Sequence, residues 1–191
     1  MEWVQQEGVN IMSKTILLLI GASASGKTVI GKYLQTLGIS ELISHTTRPI
    51  RQGEIPNKTY YYITKEEFVN LDKLERTYYA GNYYCLSRQE VERHNEDLVY
   101  CIVDQEGVKQ IRTNYDNVVV INIGVSYLQM FIRMLHRKDK LKDIIKRIKY
   151  AITTNEIKKD KQIADYYIKN NNLNTTKEQL SLIVNKLKKE V

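Results

Sequence analysis

From Thr15 to Ile20 the chain is apolar without a break, the pattern of a strand buried on both faces, as in a parallel sheet. A Gly-rich turn follows, then a helical stretch ending near Gly38. Between about 44 and 87 the texture changes to short aromatic runs, Tyr60–Thr64 and Tyr78–Ser87, broken by Gly53, Pro56 and Gly81-Asn82. This pattern predicts small antiparallel strands. Thr64 with Glu67, and Ser87 with Glu90, have the spacing of capping boxes and predict two helix starts. Leu98–Val103 and Val118–Ile123 read as two more buried strands, separated by a helix at about 105–113. Ser126 opens a helix to His136, and the charged segment Arg137–Lys149 leads into a long helix reaching about Asp160. Asp165–Lys169 is a last short strand, and Thr175 with Glu178 predicts the cap of a C-terminal helix. Residues 1–12 show little pattern and read as a loose extension, with Met12-Ser13-Lys14 as an alternative start. Residues 13–191 then form one α/β domain with an inserted lobe at about 44–87.

Composition narrows the classes. A chain of 191 residues suits one well-cored domain, and 42% hydrophobic with 27% charged residues is a globular balance. The 14 tyrosines against 2 phenylalanines leave much ring surface carrying a hydroxyl that can reach a phosphate. A net charge of +7 favours anionic partners without choosing among nucleotides, nucleic acid and acidic membrane. Cys85 and Cys101 have neither zinc spacing nor the number for a disulfide framework, and read as small core residues. No apolar run approaches the length of a membrane span, and no secretory signal is present, so a cytoplasmic location is expected.

Gly21-Ala22-Ser23-Ala24-Ser25-Gly26-Lys27-Thr28 satisfies G-x-x-x-x-G-K-[ST], between a buried strand and a helix. Glycines allow the turn, and backbone N–H groups, with Gly21, Ser23, Ser25 and Gly26 in the loop, wrap the phosphates of ATP. Lys27 reaches the β/γ-phosphates, and the Thr28 hydroxyl can bind Mg²⁺. Asp104, at the end of Leu98–Val103, is either the second Mg²⁺ residue, acting through water, or a plain helix N-cap.

In the lobe, Arg48 and Arg51 stand three residues apart with Ser44 and two tyrosines, Tyr60 and Tyr84. Such a set can surround one phosphate monoester with charge-assisted hydrogen bonds. Ser44-His45-Thr46-Thr47-Arg48-Pro49-Ile50-Arg51-Gln52-Gly53-Glu54 resembles the guanylate kinase signature S-x-T-T-R-x-x-R-x-G-E. The likeness continues through Tyr60, Gly81-Asn82-Tyr83-Tyr84 and Asp165-Tyr166-Tyr167-Ile168, covering about residues 14–190. It implies a P-loop three-layer fold with a parallel sheet, a mixed-strand acceptor lobe and a helical lid at about 136–148. It also implies transfer from ATP to GMP, with Ser44, Arg48, Arg51, Tyr60 and Tyr84 holding the acceptor phosphate. The family's lid arginines fall at Arg137 and Arg147, one residue closer together than usual, with Lys138 where a Gly is usual. Lys27, Arg48, Arg137 and Arg147 are then the catalytic set. Lys138, Lys140, Lys142 and Lys146 read as a solvated helix face, and His45 as structural.

The base-reading positions depart from the family. Tyr78 takes the place of a guanine-reading Glu, Leu86 that of a small hydroxyl residue and Ile102 that of an acid, with Glu75 or Ser87 as possible substitutes. Guanine presents N–H donors that want an acceptor, and each unmatched buried donor costs roughly 1–3 kcal/mol. Three readings therefore stand: a GMP kinase, a kinase of the same family with another phosphorylated acceptor, and a non-catalytic guanylate-kinase-like module. Small nucleotides are the expected partners, with no nucleic acid and no membrane; the sequence sets no oligomeric state.

Overall fold

The computed structural model describes residues 14–79 and 81–190, so the expected loose extension at 1–12 lies outside the described residues. In chain order the elements are β1 Thr15–Ile20, α1 Lys27–Thr36, β2 Ser40–Glu41, β3 His45–Thr46, β4 Tyr61–Tyr62, α2 Lys65–Asn70, β5 Lys73–Tyr79, β6 Asn82–Ser87 and α3 Arg88–Glu92. There follow β7 Leu98–Ile102, α4 Gln105–Asn114, β8 Val118–Gly124, α5 Tyr127–His136, α6 Leu141–Thr153, α7 Glu156–Ile163, β9 Tyr166–Lys169 and α8 Leu173–Glu190.

The main sheet has the order β2-β7-β1-β8-β9 and every pairing in it is parallel. β1 is central, which is why its apolar run shows no alternation. Leu17 and Leu19 pack with Ile30, Leu34, Leu180 and Val184 of α1 and α8 on one face. Ile16, Leu18 and Ile20 pack with Val108 and Ile111 of α4 on the other. Two helical layers around a parallel sheet make this the α/β P-loop architecture. A second sheet, β4-β3-β6-β5, joins the α4 side through Leu74 and Leu86. A third cluster ties α5 to α6, with Met130, Met134, Ile144 and Ala151 buried against Ala22 and Val125.

Several local expectations are corrected. The aromatic run Tyr60–Thr64 contributes only Tyr61–Tyr62 as strand, paired parallel to β3, so the small sheet is mixed. β5 begins at Lys73, before any aromatic residue, because Glu75 and Thr77 pair with Leu86 and Tyr84 across the hairpin. Thr64 and Glu67 complete their capping box, whereas Ser87 accepts from the Glu90 N–H while the Glu90 carboxylate turns to the Ile43 N–H. The C-terminal helix starts two residues before Thr175, and its first turn is satisfied by the Asn172 side chain, which accepts from Asn174 and Thr175. The long helix expected to reach Asp160 is two helices, α6 and α7, parted at Asn155, whose φ of 54° is left-handed.

Lys138 also sits in the left-handed region, at φ 61°, where its N–H and that of Asp139 close the end of α5 on Leu135 and Met134 carbonyls. A β-carbon there costs roughly 1–2 kcal/mol. Glycine removes that strain but adds freedom to the unfolded chain. Lys138→Gly is therefore expected to raise the melting temperature by about 1–3 °C, and Lys138→Val to lower it. A calorimetric melt showing the opposite order would contradict the strain argument.

Candidate active site

The loop after β1, the start of α4 after β7, the segment after β8 and Asn170 after β9 all lie at the C-terminal ends of parallel strands, where α/β sheets bind ligands. The Gly21–Thr28 loop is held from outside as well as by its own turn. At Gly21 (φ 146°) an added β-carbon would lie 2.4 Å from the Ile123 carbonyl oxygen, and at Gly26 (φ 103°) 2.5 Å from the Asn170 amide nitrogen. Both approaches require glycine. Asn170 Nδ2 donates to the Ser25 carbonyl (2.7 Å), and its Oδ1 accepts from the Thr176 hydroxyl (3.1 Å). Arg133 on α5 donates to the carbonyls of Ala24 (3.1 Å) and Ser25 (2.9 Å), and also to that of Asn170. These donors tie down the loop's carbonyls on this side. Arg133 and Asn170 were not singled out from the sequence. Arg133 lies one helical turn before Arg137, a spacing that could have pointed to it; Asn170 has no local signal.

Lys27 Nζ folds back onto the carbonyls of Gly21 and Ala22. Burial pulls its pKa below the usual lysine value, while Asp160 and Glu156 on α7 oppose the shift. A cavity of about 550 Å³ lies beside it, lined among others by Ser23, Ile102, Asp104, Glu156 and Asp160. A second, of about 600 Å³, runs along the loop from Ser23 to Val29 under Arg133, Arg137 and Arg147. Arg147 donates to the Ser23 hydroxyl at 3.1 Å, and Arg137 pairs with Asp139. Both lid arginines named from the sequence thus stand at the loop, on the exposed side. Asp104 caps α4, its Oδ1 accepting from the Gly107 N–H at 2.8 Å. The N-cap reading therefore holds, and Asp104 also lines the cavity beside Lys27. Thr28, exposed in the first turn of α1, offers a hydroxyl. These hard oxygen donors beside a phosphate loop fit Mg²⁺, which keeps most of its waters and takes one or two protein oxygens.

In the second lobe, Arg48 is only 7% exposed. Its Nη1 and Nη2 donate to the two oxygens of Glu54 (3.0 and 2.8 Å), and Nη1 also to the Pro49 carbonyl. The pairing holds the guanidinium charged well above its usual range and pulls the Glu54 carboxyl down to about 2. The Tyr60 ring lies under Arg48 at 5.5 Å and meets Tyr84 edge-on at 5.8 Å. Ser44 is half-buried at the start of β3, with its carbonyl accepting from the Tyr61 N–H, and Arg51 is exposed at the rim. Glu54 and Tyr62 belong to this cluster although no role was assigned to them from the sequence.

The base-side residues need correcting. Cross-strand partners share a pleat face, and neighbours along a strand do not. Glu75 and Thr77, paired with Leu86 and Tyr84, lie on the Tyr84 side. Tyr78, paired with Tyr83, lies on the other, 63% exposed with its ring 4.8 Å from that of Tyr83. Tyr78 therefore lies on the face away from Tyr84. Leu86 is sunk in the core with Leu74 and Val91, and Ile102 is half-buried at the Lys27 cavity. Glu75 is 9% exposed, and burial, reinforced by Asp104, pushes its carboxyl up to about 7 against the N–H of Leu86. Ser87, the other possible substitute, is buried and spends its oxygen capping α3. His45 packs on the Tyr61 ring at 4.8 Å, as a structural residue would, and both cysteines are buried and free. Among the described residues no helix is long and apolar enough to cross a membrane.

The guanylate kinase family model matches residues 13–187. Guanylate kinase of Buchnera aphidicola subsp. Baizongia pistaciae is 32% identical over 189 residues, spanning 91% of this chain and 88% of that protein. The enzyme of Wolbachia pipientis wMel is 30% identical over 196 residues, spanning 96% and 92%. The crystal structure of guanylate kinase from Anaplasma phagocytophilum superposes with a TM-score of 0.64 at 25% identity, covering 92% of this chain and 86% of that one. The family model and these relatives span nearly the whole described chain, and the chain belongs to the guanylate kinase family.

Proposed function

We infer that the protein transfers the γ-phosphoryl group of ATP to the phosphate of GMP, giving GDP and ADP. The observation that carries this is that one chain holds both an externally braced phosphate loop and, in its second lobe, a buried, fully charged Arg48. In this reading the loop N–H groups and Lys27 hold the ATP phosphates, with Gly21, Ser23, Ser25 and Gly26 shaping the loop. Ser44, Arg48, Arg51, Tyr60 and Tyr84 hold the acceptor phosphate. An acceptor oxygen attacks the γ-phosphorus, and the bond to the β–γ bridging oxygen breaks with its electron pair staying on ADP. The attacking oxygen is already anionic, so no base is required, and positioning with charge cover supplies the catalysis. Arg137 and Arg147 swing onto the transferring group as the lid closes. Thr28 and Asp104 would hold Mg²⁺, which would neutralise charge on the transferring phosphates.

Glu75 is the base-reading residue in this scheme. Its two oxygens can accept from guanine N1–H and the 2-amino group, whereas Ile102 contributes only apolar surface and Leu86, in the core, none. An inward carboxylate favours the GMP reading over another acceptor, and a cytoplasmic setting with ample ATP suits it. A coupled ADP-release assay with MgATP against GMP, dGMP, AMP, CMP, UMP, IMP and simple sugar phosphates tests it. GMP is expected to turn over with the highest kcat/KM; a pyrimidine or sugar phosphate ahead of it would reject the assignment.

A further inference from the structure

We propose that Tyr62 is a positioning residue for the acceptor phosphate, setting the orientation of Arg48 through Glu54. The inference rests on the reading above that Arg48 holds that phosphate. Glu54 Oε2 accepts three donors: Arg48 Nη1 at 3.0 Å, the Arg51 N–H at 2.8 Å and the Tyr62 hydroxyl at 2.9 Å. Among the described residues Oε1 accepts Arg48 Nη2 alone, at 2.8 Å. Glu54 is itself on a loop, in an exposed turn where its N–H meets the Arg51 carbonyl at 3.1 Å, and that local turn alone does not fix the plane of its carboxylate. The Tyr62 hydroxyl does, because it comes from β4, a strand anchored in the small sheet.

The orientation matters because of which donors are left. A guanidinium has five N–H groups in a rigid plane. Arg48 directs two from Nη1, to Pro49 and Glu54, and one from Nη2, to Glu54. Those remaining are Nε–H and the second Nη2–H, which lie side by side on one edge as a fork that matches a phosphate. Tyr84 meets edge-on the Tyr60 ring that lies under this guanidinium. Turning the Glu54 carboxylate turns the plane of Arg48 with it, and the fork no longer faces the acceptor. The Tyr62 ring, 5.9 Å from the guanidinium, is a separate packing contact that phenylalanine would keep. The hydroxyl alone carries the positioning role.

The test is steady-state kinetics of the full chain bearing Tyr62→Phe, at saturating MgATP with GMP varied. The KM for GMP is expected to rise about fivefold to twentyfold, with kcat and the KM for ATP within twofold of the parent. In a Glu54→Gln background, adding Tyr62→Phe is expected to change the KM for GMP less than twofold, since the two act on one orientation. An unchanged KM for GMP in Tyr62→Phe, or full additivity with Glu54→Gln, would overturn the proposal. So would equal losses in the KM for GMP, the KM for ATP and the melting temperature, the signature of a purely structural hydroxyl. Arg48→Ala separates the two levels: if it leaves the KM for GMP unchanged, the acceptor-site reading itself fails, whereas an impaired Arg48→Ala beside an unimpaired Tyr62→Phe rejects only the role of Tyr62.

Discussion

Lys27→Ala is expected to lower kcat for GMP phosphorylation by at least about 10²–10³-fold while leaving the fold intact. Lys27 rises from the first turn of α1 beneath the loop, with its Nζ against the Gly21 and Ala22 carbonyls. Losing a preorganised donor aimed at developing phosphate charge has an effect of that size. The fold survives because the loop is shaped by other groups. Arg133 and Asn170 hold its carbonyls, and Gly21 and Gly26 provide its backbone angles. Burial already works against the Lys27 charge, so its removal relieves desolvation, although Asp160 and Glu156 lose a nearby cation. Far-UV circular dichroism and a melting temperature within a few degrees of the parent should accompany the lost turnover. Parental turnover in Lys27→Ala would eliminate the phosphotransfer mechanism derived above.

Glu75→Gln is expected to lower kcat/KM for GMP by roughly 10²-fold and to make the protein more stable at pH 8. The kinetic loss follows from geometry: the amide presents an N–H₂ where guanine also presents donors, and an unmatched buried donor is costly. The stability gain follows from linkage. The folded-state carboxyl titrates at about 7, above the unfolded value near 4.5, so between those pH values the unfolded chain gives up its proton first. Stability is therefore fully present below about pH 4.5 and falls as pH rises to about 7. Above that the loss is complete, on the order of 3 kcal/mol. Glutamine has no such loss, so the variant's melting temperature should exceed the parent's by several degrees at pH 8 and match it at pH 4. The same titration shapes binding in the parent: GMP needs the carboxylate, so its KM should rise as pH falls below about 7, up to tenfold per unit, and this rise should vanish in Glu75→Gln. A parent KM that is flat from pH 6 to 8 would mean that Glu75 does not meet the base.

The difference between Glu75 and Tyr78 marks where sequence reading stops. Both stand shortly before Gly81-Asn82, and the choice between them depends on how β5 registers against β6. One step of register exchanges the faces of a strand. That register is irregular between Lys73 and Glu75, which no local pattern announces. Tyr62 presents the same difficulty in another form. It is one of 14 tyrosines, and only the position of the Glu54 loop against β4 separates it from its neighbours.

What the sequence determined by itself is what short-range chemistry determines. The unbroken run at Thr15–Ile20 specifies a strand covered on both faces, and glycines with lysine and threonine at Gly21–Thr28 specify a phosphate loop. Thr64 with Glu67 specifies a helix start. These properties reside in a few consecutive residues and their backbone angles. Tertiary structure decided the rest: which pleat face turns Glu75 inward, which distant residues brace the loop, and which hydroxyl orients Glu54. Arg133 and Asn170 lie more than a hundred residues from the Ser25 carbonyl to which both donate. Contacts at such separation depend on how α5 and β9 pack against β8 and the loop, which the linear order of residues does not encode locally.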